Sequence, residues 1–302
     1  MPDSSANESP YSASTPNATS AIEKPIINRL PAISGIHWFF DGFNQFFQAP
    51  LIWTGIGFIN ILLLIVSSLL VLIPILGIAI THLFYPLFIA GFMQAAANQK
   101  QENIQVSDYF SGFSSQTSSL FLCGALYFAM LIVVMVITFV FMLVIDLGLS
   151  SYASQSISIL TPRILESVIG GLISIGLMLP VIMAIWFAPA LIILHHHDAI
   201  EAIKLSFVAC YRNFVPYLAY SLIATLILAL YFGIQFYFFD FPHISSLFKK
   251  GPDFEILYKL LSIVGLNLLM GTWIAPIFFA GVYSSFNDIF SNGHQENPTT
   301  KE

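Results

Sequence analysis

"WFAPALIIL", residues 186–194, decides how this chain is built, because two other stretches repeat it without a gap. "LFYPLFIAG" (83–91) and "WIAPIFFAG" (273–281) align with it on Pro86, Pro189 and Pro276. Each proline lies in a long apolar run. A proline there frees the carbonyl four residues earlier and bends the helix, which lipid tolerates only where a neighbour satisfies that carbonyl again.

Working outward, the apolar runs are long enough to cross a bilayer, whose core of about 30 Å takes about 20 helical residues. Six runs qualify: Leu51–Val71, Leu76–Ala97, Leu120–Leu147, Val168–Leu194, Tyr217–Phe239 and Leu261–Tyr283. Pro74 and Gly77 in "VLIPILG" argue for a tight turn between the first two rather than one continuous span. The second, fourth and sixth runs carry the aligned prolines.

Composition agrees. Of 302 residues 57% are hydrophobic and only 9% charged, with a mean hydropathy of +0.83. A soluble protein carries about a quarter of its residues as charges, so lipid must solvate most of this surface. The net charge of −6 offers no basic face to nucleic acid. Two cysteines, Cys123 and Cys210, are too few for a disulfide framework. Residues 1–31 are rich in Ser, Asn, Pro and Thr and read as a disordered tail, as do residues 291–302. Residues 32–290 form the membrane domain. The sequons at Asn7 and Asn17 fall in the first tail.

An amphipathic segment precedes each odd-numbered span. In "SGIHWFFDGFNQFFQAP", Ile36, Phe40, Phe43 and Phe47 recur at helical spacing, with His37, Asp41, Asn44, Gln45 and Gln48 opposite them. Ser34 is the expected N-cap, and the helix should lie in the membrane interface. "IQVSDYFSGFSSQ" repeats the spacing with Phe110 and Phe113, and "DAIEAIKLSFVACYRNF" does so with Ile200, Ile203, Phe207 and Phe214. The chain therefore reads as three copies of one unit: an interfacial helix, a span out, and a proline-bent span back.

"HHHD", residues 195–198, is the most polar point near a span. Consecutive helical side chains diverge by about 100°, so the three imidazoles cannot share one metal on a regular helix. Asp198, followed three residues later by Glu201, has the form of a capping box for a helix starting at Ala199. The expectation is a span ending near His195, a capped turn, and neither metal nor cofactor. Within or near the spans, His82, Asp146 and Asp240 are the polar candidates for a proton or cation path, because intramembrane charge is costly. Gly170 and Ser174 form a small-xxx-small pair suited to helix packing. His-Glu-x-x-His, Gly-x-Ser-x-Gly and a P-loop are all missing, so no enzyme is expected.

If every unit starts and ends on one side, Lys24, Arg29, Lys100, Lys204, Arg212 and Lys301 share it, with Arg163, Lys249, Lys250 and Lys259 opposite. That bias favours cytoplasmic termini.

Two segments carry a resemblance. Trp186 and Pro189, followed by Glu201, Ala202, Lys204, Ser206, Phe207, Arg212 and Asn213, and then Tyr283, Ser285, Asp288, Ile289 and Phe290, look like the motifs of an uncharacterised family of bacterial six-span inner-membrane proteins. The likeness extends loosely over 36–290. Residues 283–288, Tyr-Ser-Ser-Phe-Asn-Asp, lack a basic residue of the family pattern. The resemblance implies a Gram-negative inner-membrane location and supplies no catalytic residues. Sequence alone thus leads to an all-α, six-span membrane protein in three hairpins. Its expected partners are the lipid bilayer and other membrane proteins, and its function class is non-enzymatic organisation of lipid or protein. A small-solute or ion transporter is the alternative.

Overall fold

The computed structural model describes residues 26–70, 73, 76–153, 160–239 and 254–291. Among them there are helices and no strands. In chain order these are α1 (Ile33–Gln48), α2 (Pro50–Leu70), α3 (Leu76–Lys100), a 3-10 helix (Val106–Phe113) and α4 (Thr117–Ala153). They continue as α5 (Leu160–Ile185), α6 (Ala188–His195), α7 (Ala199–Arg212), α8 (Phe214–Phe239) and α9 (Phe254–Phe290). Six segments are long and apolar enough to cross a membrane, counting α5 and α6 as one. The turn expected at Pro74, the sequons, most of both tails, and Asp240 lie outside the described residues.

The three units pack in a cyclic order. Each interfacial helix seats on the proline-bearing span of the unit before it: the 3-10 helix on α3, α7 on α5 and α6, and α1 on α9. The seats match in detail. A Cβ on Gly42 would collide with the carbonyl of Ile277, and a Cβ on Gly112 with that of Leu87. Each of those carbonyls belongs to the residue after an aligned proline. "FDGF" (40–43) and "FSGF" (110–113) are thus the same seating device, and only glycine permits that approach. In the third unit Ala202, Ser206 and Ala209 make the small, buried face.

This seating leaves part of each expected face outward, while Ile36, Phe43 and Ile203 are half-buried, and Phe43 and Ile203 pack against the core. Phe40, Phe47, Phe110, Phe113, Ile200 and Phe207 are all exposed. Three further details differ from the expectation. Gln45 is buried rather than outward, because its amide donates to Ser284 Oγ (2.7 Å) and to Ala280 O on α9. α1 starts at Ile33 after Ala32, with no side-chain cap, so Ser34 lies inside the helix. The second segment is 3-10 rather than α, in keeping with its short polar residues, which compete for backbone hydrogen bonds.

The best-packed part of the molecule is this inner base, where Trp38, Trp53, Phe92, Phe187, Leu191 and Ile289 are fully buried. Outward from it the hairpins splay. None of the most apolar window of α4 is buried, and only 6% of that of α8. Such a surface is stable only in hydrocarbon.

The segment expected to be tail up to Pro31 is bonded into the base from Asn28 onward. Asn28 N donates to Ile289 O (2.9 Å), Asn28 Nδ2 to Asp288 O (3.0 Å), and Leu30 N to Asn213 Oδ1 (2.9 Å).

Candidate functional site

The fourth span corrects the picture of a proline-bent helix. α5 stops at Ile185, the chain breaks at Trp186 and Phe187, and Pro189 sits in the first turn of α6. Proline costs nothing there, since the amides of a first turn have no intrahelical acceptor. Ser206, fully buried on α7, fills the break. Its hydroxyl accepts from Phe187 N (2.9 Å) and donates to Met183 O (2.8 Å). Those two groups would otherwise bond to each other in a continuous helix, so one hydroxyl is inserted into the helical ladder. Pro86 and Pro276, by contrast, remain inside α3 and α9. Pro180 is a further proline within α5.

At "HHHD" the chain turns as expected, and the imidazoles diverge. His195 ends α6 with its ring 5.2 Å from Phe286. His196 takes the left-handed conformation (φ 57°) that closes the helix, and its ring Nδ1 lies 3.0 Å from the Gln116 amide. His197 is buried, with Nδ1 3.2 Å from Glu201 Oε2. Asp198 caps α7, its Oδ1 accepting from Ile200 N and Glu201 N, both at 2.9 Å. Only half of a capping box forms, because the Glu201 carboxylate turns to His197.

The motif at residues 283–291 is the hub of the base. Asp288 Oδ2 accepts from Trp38 Nε1 (2.8 Å), Ser284 takes the Gln45 amide, and Ser285 accepts from the Tyr217 hydroxyl (3.1 Å). Trp53 Nε1 donates to Gln99 Oε1 (3.0 Å), and Gln99 Nε2 donates to Gln45 O (2.7 Å). Asp41, beside this hub, has its carboxyl pushed up from the ordinary value by burial and next by the charge of Asp288. These polar groups join one element to another.

His82 and Asp146 do not come together. His82 Nδ1 lies 2.7 Å from Ile78 O, one turn back, and its ring rests against Tyr127 and Phe128 of α4. Asp146 is exposed on α4, roughly 27 Å beyond Phe128 at 1.5 Å per helical residue. Of the aligned tryptophans, Trp273 is 45% exposed beside Phe46, whereas Trp186 is half-buried. Gly170 packs against Met142 of α4, as a small-xxx-small position should.

Among the described residues, apolar cavities open where the hairpins splay, three of them of similar size. One, of about 350 Å³, lies between α5 and α8 and is lined by Met183, Trp186, Cys210, Phe214 and Tyr217 among others. Another, of about 340 Å³, lies between α2, α8 and α9, where Asn60, Tyr231 and Asn267 face it. The third, of about 330 Å³, lies beside α2 and α3 and shares Asn60. Asn60 accepts from the Tyr109 hydroxyl (2.8 Å), and Asn267 bonds Tyr231 and Gln235 (3.3 and 3.4 Å). A sequence search confined to charges and histidines misses these amides. Uncharged Asn and Gln within spans were the available signal, since they too must find partners in lipid.

Splayed apolar hairpins on a bonded base define a polytopic α-helical membrane protein. Comparison with known proteins agrees. Over 215 residues the chain is 32% identical to a probable inner membrane protein of Burkholderia thailandensis, covering 68% of this chain and 76% of that one. It belongs to the family of that protein and is a multi-pass inner-membrane protein. No family profile matches the chain, and no solved structure does.

Proposed function

We propose that the protein is a non-enzymatic inner-membrane component that interacts with lipid, its base at the cytoplasmic face and its hairpins spreading the acyl region. The observation that carries this reading is the set of acyl-sized apolar clefts between hairpins whose aromatic rims face outward. Their volumes fall at the small end of ligand sites. The polar groups nearby support it too, since they are engaged in helix ends and inter-helix bonds rather than converging on a reacting centre. Transport draws less support, because His82 packs on Phe128 and Asp146 lies roughly 27 Å further along α4.

The cytoplasmic placement draws on Arg29, Lys100, Lys204 and Arg212, which all belong to the base end. Phospholipid retained through purification in mild detergent tests the function. About one or more lipids per chain, resistant to washing, is the expected result. A folded, lipid-free protein, or one that moves a solute across vesicles, would overturn it. Reporter fusions after Gln101 and Asn213 should report cytoplasm, and fusions near Ser154 and Lys249 the outside.

A further inference from the structure

The cyclic packing is incomplete at one place, and that place has the makings of a lipid site. In the first two units the outgoing span also packs on the neighbouring proline span: α2 on α9, with Gly57 against the Thr272 carbonyl, and α4 on α3, with Gly124 against the Leu83 carbonyl. By the same rule α8 should pack on α5, and among the described residues no comparable packing forms. The cleft of about 350 Å³ stands there instead. Its lining runs along α8 from Phe214 to Leu228, roughly 21 Å at 1.5 Å per residue. One leaflet of hydrocarbon is about 15 Å thick, so the cleft has the length of one acyl chain with its glycerol end.

Two arginines lie in the chain next to the inner end of the cleft, where Phe214 begins its wall. Asn213, fully buried, clamps the backbone on both sides of Arg29: its Oδ1 accepts from Leu30 N (2.9 Å) and its Nδ2 donates to Asn28 O (2.9 Å). Arg212 precedes Asn213 directly, and Phe214, which follows it, begins the cleft wall. A clamp spanning 183 residues of sequence thus holds the backbone around Arg29 to the helix end that carries Arg212. Both are exposed, and neither is ion-paired among the described residues. Asp288, in the hub, is bonded to Trp38. Inside the mouth, Trp186 and Tyr217 share the cleft wall, the Tyr217 ring edge-on 5.6 Å from the indole.

We infer that this cleft binds one anionic phospholipid, its phosphate between Arg29 and Arg212 and one acyl chain between α5 and α8. This rests on the lipid-interacting reading and adds the class of lipid and its place. Two arginines suit a phosphate, to which a guanidinium donates two parallel hydrogen bonds.

The full chain, purified and delipidated, is the material for the test. Retention and thermal protection are measured with dioleoyl phosphatidylglycerol, dioleoyl phosphatidylcholine and inorganic phosphate. Phosphatidylglycerol should be retained and protective, phosphatidylcholine several-fold less so, and phosphate alone inert. The double variant R29Q/R212Q should lower apparent affinity for phosphatidylglycerol roughly tenfold or more, at about fivefold per cation near the surface. K204Q, on the same interfacial helix, should not. A224F, which fills the cleft wall, should abolish retention while melting like the wild type without lipid.

Equal retention of the two lipids would overturn the anionic assignment and leave the lipid reading standing. The wild type retaining neither would sink both. Protection by phosphate alone, or A224F retaining phosphatidylglycerol, would reduce the site to a surface anion contact and end the proposal.

Discussion

Removing one oxygen at Ser206 should destabilise this protein more than its small size suggests. In Ser206→Ala, Phe187 N loses its acceptor and Met183 O its donor, both in the buried base. Each orphaned buried group costs about 1–3 kcal/mol in proteins, whereas side-chain bonds within membranes average nearer 0.6 kcal/mol. Main-chain groups cannot rotate away to another partner, so the larger figure applies, and ~2–4 kcal/mol is expected for the pair. The obvious escape is for α5 to run straight on and rejoin Phe187 N to Met183 O. Pro189 hinders it, because its ring would meet the carbonyl of Ile185 and it has no N–H to offer. The double variant S206A/P189A should therefore lose less than S206A alone, giving a coupling of about 1 kcal/mol or more, as expected for residues that share a site. Unfolding in mixed micelles measures the stabilities, and hydrogen exchange at the Phe187 amide reports the local opening. A Ser206→Ala loss below about 0.5 kcal/mol with Phe187 still protected would refute the inserted-hydroxyl account.

Gly42→Leu and Gly112→Leu should each unseat an interfacial helix and cost at least the ~1–3 kcal/mol of an overpacked core. Gly171→Leu, where a Cβ meets nothing within 4 Å, should be neutral in the same unfolding assay. Asp198→Ala should cost about 1 kcal/mol and Asp198→Ser recover most of it, both read by unfolding. His196→Gly should stabilise by about 0.5–1 kcal/mol, since glycine accepts the left-handed conformation freely. Asp41 has a folded pKa raised above the ordinary 3.8 by burial and then by Asp288. Its charged form is disfavoured by folding, so its contribution is best below the unfolded value and is lost as pH rises through the folded one. Asp41→Asn should flatten the pH–stability profile above about pH 4, where the raised pKa of Asp41 makes stability fall.

Much of this was legible in local pattern. Span lengths follow from bilayer thickness, and Phe40 and Phe47 lie outward as their spacing indicates, while Phe43 between them packs partly on the core. The Asp198 cap is likewise a matter of three neighbouring residues. The break at Trp186 was hidden, because proline looks alike inside a helix and at its first turn. What separates the two cases is a hydroxyl on Ser206, and no periodicity points to a partner that far along the chain. Gln45 differs for a similar reason: its polarity argues for an outward face, while Ser284, brought by the fold, makes an inward one cheaper. The hold on Asn28 and Leu30 depends on Asn213, which a compositional reading of a Ser- and Pro-rich tail cannot see. For the candidate site, charges drew attention to His82 and Asp146, but the cleft arises from a missing helix contact. Absent packing leaves no mark on the sequence.

The cyclic order of the three units underlies both the base and the cleft, and one cross-linking measurement tests it most directly. Asn28 Nδ2 lies 3.2 Å from Ser291 O and 3.4 Å from Ser291 Oγ, joining the start of the first unit to the end of the third. The native thiols Cys123 and Cys210 are buried and should not compete. With Asn28→Cys and Ser291→Cys in the full chain, mild oxidation of intact membranes should give an intramolecular disulfide in most molecules. Asn28→Cys with Asp146→Cys should give none. If the first pair fails to cross-link in folded protein, or the second succeeds, the ring of three units is not the arrangement of this chain.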